Sequence, residues 1–223
     1  MINSHKILFR IICGIFFSSL WFLANAQSVT SKASELQVHI HLGPKSTGKN
    51  WYQLALWLED ESGNYVDTLY VTSSVGREGL GNGYMKILGI TFREAPGSLP
   101  VWAHKRDVTY GDSYYPTKKE PLPDSMTSAT IKADEFMKRF SLSSDVVQML
   151  GEQAWHCLLE INVSRDGVPS MVFRATVDPE ESGKTSFVFA GYGEEKGRDG
   201  EFHDHEDVDL SRLEILQFAT LDH

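Results

Sequence analysis

Between Glu35 and Leu42 apolar and polar side chains alternate without a break, with Leu36, Val38, Ile40 and Leu42 on one side and Gln37, His39 and His41 on the other. A period of two residues belongs to a strand with one face in a core, because successive side chains of an extended backbone point to opposite faces. The pattern recurs. Trp51 to Glu59 alternates, Asp60-Glu61-Ser62-Gly63-Asn64 supplies turn residues, and Tyr65 to Thr72 is rich in aromatic and β-branched types, which together predict a hairpin. Trp155 to Val163, Met171 to Val177 and Thr185 to Ala190 are strand-like as well, separated by Arg165-Asp166-Gly167 and by the stretch from Pro179 to Gly183. At least six short strands with turns at this spacing predict an all-β fold with minor α, a β-sandwich for which the immunoglobulin-like form is one candidate.

Between these strands the patterning is weaker. Glycine is dense from Ser73 to Gly83, which predicts an exposed loop, and Tyr84 to Phe92 suits either a strand or a buried segment. Val101 to Arg106 is a short structured piece that follows turns at Pro96-Gly97 and Pro100. Asp107 to Pro123 contains Gly111, Pro116, Pro121 and Pro123 and shows no period. It is a long loop, of a kind that is uncommon in compact domains and often functional. Ala133 to Phe140 places Phe136 and Phe140 four apart, Ser144 is a candidate cap for a short helix from Asp145 to Leu150 ending at Gly151, and Leu210 to Leu221 suits strand and helix equally.

The N-terminus has a different character. Lys6 and Arg10 precede an apolar stretch from Ile11 to Leu23, followed by Ala24-Asn25-Ala26. Charge, apolar core and a small-x-small site, in that order, make a secretory signal peptide cut after Ala26, and the stretch is shorter than the roughly 20 residues of a membrane span. Residues 1–26 are therefore set apart, and 27–223 are expected to form a single periplasmic domain. Export removes Lys6, Arg10 and Cys13. The mature chain then carries 19 basic against 30 acidic side chains, a net charge of −11, and one cysteine, Cys157. An acidic chain of this kind is a poor partner for nucleic acid, whose phosphates favour Lys and Arg clusters. A single thiol excludes an internal disulfide, and Cys157 shares a strand face with Trp155, Leu159 and Ile161, the setting of a buried, inert group.

At the far end of the long loop stands Asp124-Ser125-Met126-Thr127-Ser128-Ala129-Thr130. It resembles the motif recognised by the FAD:protein FMN transferases of the bacterial envelope: Asp, two variable residues, Ser or Thr, Gly or another small residue, Ala, then Thr or Ser. The resemblance implies that the transferase splits FAD and esterifies the FMN phosphate to Thr130, with Asp124, Thr127, Ser128 and Ala129 as the recognised residues. That chemistry asks for a hydroxyl nucleophile, small neighbours and a segment able to enter another enzyme. The loop around residues 107–131, expected to be mobile from Asp107 to Thr130, meets the last need. Ser128 departs from the usual glycine, which alone reaches φ > 0 without strain.

Leu56-Trp57-Leu58-Glu59-Asp60, Gly63-Asn64-Tyr65-Val66, Leu69-Tyr70-Val71-Thr72 and Leu99-Pro100-Val101-Trp102 look like a family of periplasmic domains of unknown function, most clearly from about residue 36 to 163. Members of that family tend to carry a flavin-attachment motif after the Leu-Pro-Val-Trp segment. The resemblance implies an extracytosolic electron carrier with covalent FMN and a membrane or outer-membrane redox partner, rather than an enzyme with its own substrate. Trp102, Tyr110, Tyr114 and Tyr115 precede the motif and are candidates to stack on the flavin ring.

Two further groups bear on function. His203-Asp204-His205-Glu206-Asp207 is dense in metal-ligating types, and His203 and His205 share one side of an extended segment, although a solvated charge run accounts for them as well. His39 and His41 read as polar residues on the exposed face of an edge strand. The competing function class is a non-catalytic β-sandwich binding or assembly module, in which the loop around Thr130 meets a partner and carries no cofactor.

Overall fold

Strand β1 (Glu35–Leu42) buries Leu36, Val38, Ile40 and Leu42 and leaves Gln37, His39 and His41 half-buried on its other side. It lies in a four-stranded antiparallel sheet, A, between β5 (Glu135–Ser141) and β10 (Leu216–Asp222), with β8 (Lys184–Ser186) beyond β10. The computed structural model describes residues 35–42, 52–77, 96–124, 126–128, 135–162, 169–204 and 216–223. All belong to the unit Ala33–His223. The expected signal segment and the stretch from Tyr84 to Phe92 lie outside the described residues.

The second sheet, B, has the order β4 (Thr127–Ser128), β3 (Tyr65–Thr72), β2 (Gln53–Glu59), β6 (Trp155–Asn162), β7 (Met171–Val177), β9 (Val188–Tyr192). Every pairing in it is antiparallel except β4 with β3. The expected hairpin is β2–β3, closed by Gly63 N–H donating to Asp60 O at 3.0 Å and by the Asp60 carboxylate accepting from Asn64.

Leu36, Val38, Ile40, Phe140 and Leu221 of sheet A meet Leu54, Leu56, Leu58, Cys157, Leu159, Ile161 and Phe173 of sheet B in one core, so the architecture is a β-sandwich. Sheet B is also buried on its outer face. There Ala55, Trp57, Leu158 and Val172 lie under Leu99, Val101, Trp102, Ala103 and Tyr115. A third layer built around α2 (Pro100–Lys105) explains why β2 and β6 are buried almost throughout, since a strand covered on both faces has no solvent side.

Several boundaries differ from the sequence reading. Thr185 to Ala190 is two strands in two sheets: the chain crosses from A to B at Phe187, which is buried and donates its N–H to Ala219 O at 3.0 Å. Ser73–Gly76 forms a helical turn, α1, with Val75 and Gly76 buried, where an exposed loop was expected. Helix α3 (Ser144–Leu150) is capped by Ser143, whose Oγ accepts from Val146 N–H at 3.3 Å, one residue earlier than expected. From Leu216 onward the tail is a strand, β10. Strand β1 is central, so His39 and His41 are not on an edge.

One edge of sheet A is β5, the other β8. Strand β5 turns Lys138 inward between Phe136 and Phe140, with the ammonium 5.0 Å from the Tyr70 ring centroid. An inward charge on an edge strand opposes pairing with a second sheet.

Leu56→Ala, in the middle of the doubly covered sheet, is expected to lower the unfolding free energy by about 2–5 kcal/mol in urea titrations. At exposed Met137, alanine is expected to change it by less than about 0.5 kcal/mol.

Candidate functional site

Pro100 opens α2, where a missing N–H costs nothing, and the next two amides point at a buried acid. Val101 N–H donates to Glu160 Oε1 at 3.2 Å and Trp102 N–H to Glu160 Oε2 at 2.8 Å. Ser170 Oγ donates to Oε1 at 2.5 Å. Glu160 has no exposed surface, and burial outweighs these three donors and pushes its carboxyl up to about 7. Gly193 makes the arrangement possible: a Cβ there would lie 2.3 Å from Ser170 Oγ and 2.7 Å from Pro100 Cγ.

The Leu-Pro-Val-Trp segment is locked from other sides too. Trp102 Nε1–H donates to Thr68 Oγ1 at 3.0 Å, and Leu99 N–H donates to the Tyr115 hydroxyl at 3.1 Å. Tyr115 in turn donates to Pro96 O at 2.7 Å. At the other end of α2, Lys105 Nζ donates to Gly63 O at 3.0 Å and pairs with buried Glu59 at 3.6 Å. Sequence reasoning did not single out Glu160, although a lone acid within the apolar run of β6 was the available signal.

The segment from Asp107 to Pro123 has no helix or strand, as expected, yet it is fastened to the body. Tyr115 and Pro116 are buried, Tyr110 and Ser113 exchange backbone hydrogen bonds, and Leu122 N–H donates to Gly76 O at 2.8 Å. The expectation of a tether loose from Asp107 onward is therefore corrected: the aromatic and proline side chains that read as loop composition are anchors. Trp102 and Tyr115 are core residues and offer no face to a cofactor. Tyr110 and Tyr114 are half-exposed, the first accepting from Arg106 Nη2 at 2.9 Å and the second lying 4.0 Å from the His104 ring.

Thr127 and Ser128 of the motif form β4, one of the two outer strands of sheet B. A turn brings Met126 N–H to Pro123 O at 3.1 Å and Thr127 N–H to Asp124 O at 3.3 Å. Met126 O then accepts from Val71 N–H at 2.9 Å, and Thr127 and Ser128 pair in parallel with Val71 and Thr72. Thr127 is half-buried over Gly76, where a Cβ would come within 2.8 Å of Thr127 Cγ2. Asp124 is exposed and forms an ion pair with Arg77. Thr130, Ala129 and Ser125 lie outside the described residues.

His203 Nε2 lies 2.8 Å from Asp199 Oδ1, and its backbone pairs with Tyr192. His205 lies outside the described residues, and among those described no three His, Cys, Asp or Glu side chains are grouped to hold a metal ion. His39 Nε2 is 2.5 Å from Glu135 Oε1 across the β1–β5 pair. Cys157 is buried with its thiol pushed strongly up, the inert state expected of it. No helix among the described residues is long and apolar enough to cross a membrane. Comparison of the chain with protein-family models, curated proteins and solved structures returns no match.

Glu160 makes stability depend on pH. Its folded value of about 7 lies above the 4.5 of a free glutamate, so the folded chain holds a proton that the unfolded chain has already lost between these limits. Its contribution is complete below pH 4.5 and falls away as the pH rises to 7, by about 3 kcal/mol in all. In urea unfolding across that range, wild type minus Glu160→Gln is expected to show this downward slope.

Proposed function

We propose that the chain is an exported flavoprotein electron carrier, with FMN joined through its phosphate to Thr130. The observation that supports this reading best is the placement of the motif's first residues on the rim of sheet B, with the Asp124 side chain 80% exposed. A foreign enzyme can reach them there without opening the core.

In the attachment reaction the Thr130 hydroxyl attacks the phosphorus on the FMN side of the FAD pyrophosphate. The new O–P bond forms as the bond to AMP breaks, AMP leaves, and the hydroxyl proton passes to a base of the transferase. Bound FMN supplies one- or two-electron transfer. The chain's part is to tether it at Thr130, two residues beyond the strand pairing at Ser128. Tyr110 and Tyr114 are the half-exposed rings left on the preceding segment.

The partners that follow are an FAD:protein FMN transferase and a membrane or outer-membrane redox protein, both met in the periplasm once residues 1–26 are removed. A binding or assembly module without cofactor is the second reading. It is favoured by Val188 and Phe189 on the outer strand β9, 62% and 40% exposed.

Intact mass decides between them. Protein from the periplasm of cells expressing the transferase is expected to gain the mass of one FMN less one water, and Thr130→Ala is expected to gain nothing. An unmodified wild type favours the binding module.

A further inference from the structure

Resting on the reading of Thr130 as the acceptor, a second conclusion concerns how the motif is presented. Its start is held to sheet B in three ways. The guanidinium of Arg77 pairs with the Asp124 carboxylate, Met126 O accepts from Val71 N–H at 2.9 Å, and the parallel register sets Thr127 against Val71 and Ser128 against Thr72. Each of these occupies a group by which a second protein reads an extended peptide: the acidic side chain, and one row of main-chain donors and acceptors.

The hold is weak as well as specific. Strand β4 has two residues, and the ion pair is open to water, with side chains 43% and 80% exposed at Arg77 and Asp124. Short edge pairings of this kind open far more readily than the core.

We infer that the docked start of the motif, Asp124 and Met126 to Ser128, is a resting form which the transferase must lift from the sheet, and that Arg77 is the positioning residue that sets how easily it lifts. Arg77 follows α1 directly, so its place is fixed by the buried Val75-Gly76 turn. Gly76 contributes by leaving room: a Cβ there would lie 2.7 Å from Val71 Cγ1 and 2.8 Å from Thr127 Cγ2. Releasing the carboxylate removes a competitor for recognition without altering the acceptor hydroxyl, so the effect belongs in the affinity of the transferase for its protein substrate and not in the chemical step.

The test follows FMN incorporation with excess FAD, a purified FAD:protein FMN transferase, and the folded mature chain as the varied substrate. Arg77→Gln is expected to lower KM roughly threefold with kcat unchanged, the scale of one exposed ion pair. Arg77→Lys, which keeps a charge opposite Asp124, is expected to return KM toward wild type. Gly76→Ala, which crowds Thr127 off the edge, is expected to act in the same direction as Arg77→Gln. Incorporation into wild type that Thr130→Ala abolishes, together with an unchanged or raised KM in Arg77→Gln, overturns the role of Arg77 and leaves the flavin reading standing. Absence of incorporation into wild type overturns both.

Discussion

Glu160 is a carboxylate with no access to water, and the outer layer of the molecule is organised around it. Burying an acid is costly, and the cost is met here only in part, by two amides at the start of α2 and the Ser170 hydroxyl. The geometry works in both directions. The acid satisfies helix N–H groups that would otherwise be orphaned over an apolar sheet, and the helix carries Trp102 into contact with Thr68. From α2 the order extends by hydrogen bonds through Leu99 to Tyr115, and further along the segment from Leu122 to Gly76, against which Thr127 of the motif rests. The motif's surroundings are thus the end of a chain of contacts that begins at one buried side chain.

Much of the fold was legible because strand periodicity is local. The alternation of Glu35–Leu42, the turn at Asp60 to Asn64 and the apolar runs of β6 and β7 all carry their own signal. What was not legible depends on pairing between distant residues. Nothing in residues 35–42 says that β1 is central, because its neighbours are residues 135–141 and 216–222. Likewise the run from Thr185 to Ala190 is uniform in composition, and only its partners, β10 on one side of Phe187 and β7 on the other, divide it. The third layer was hidden for a related reason. Trp57 and Leu158 read as strand residues facing either way, and it takes α2 on the outer face to bury them.

The candidate site divides in the same manner. Asp124 to Thr130 stands out as a run of adjacent residues, and so its resemblance to a motif is legible without the fold. The pairing of Thr127 with Val71 spans more than fifty positions and leaves no mark on the run itself. The loop before it misled for a physical reason: proline, glycine and tyrosine without a period indicate absence of regular structure, and this differs from absence of anchoring. Tyr115, buried and bonded at both ends of its hydroxyl, is the clearest case. The histidines show the limit of spacing arguments, since His203 finds Asp199 four residues back, a partner that alternate positions in an extended segment do not suggest.

The central claim is that one hydroxyl, that of Thr130, carries the flavin, and localisation within the motif tests it most directly. Cleavage after Lys119 and Lys132 releases Glu120 to Lys132, a peptide holding Ser125, Thr127, Ser128 and Thr130 together. Tandem mass spectrometry of that peptide, from protein isolated with the transferase present, is expected to place FMN on Thr130 alone. FMN on Thr127 or Ser128, or a peptide that carries none, would contradict the account.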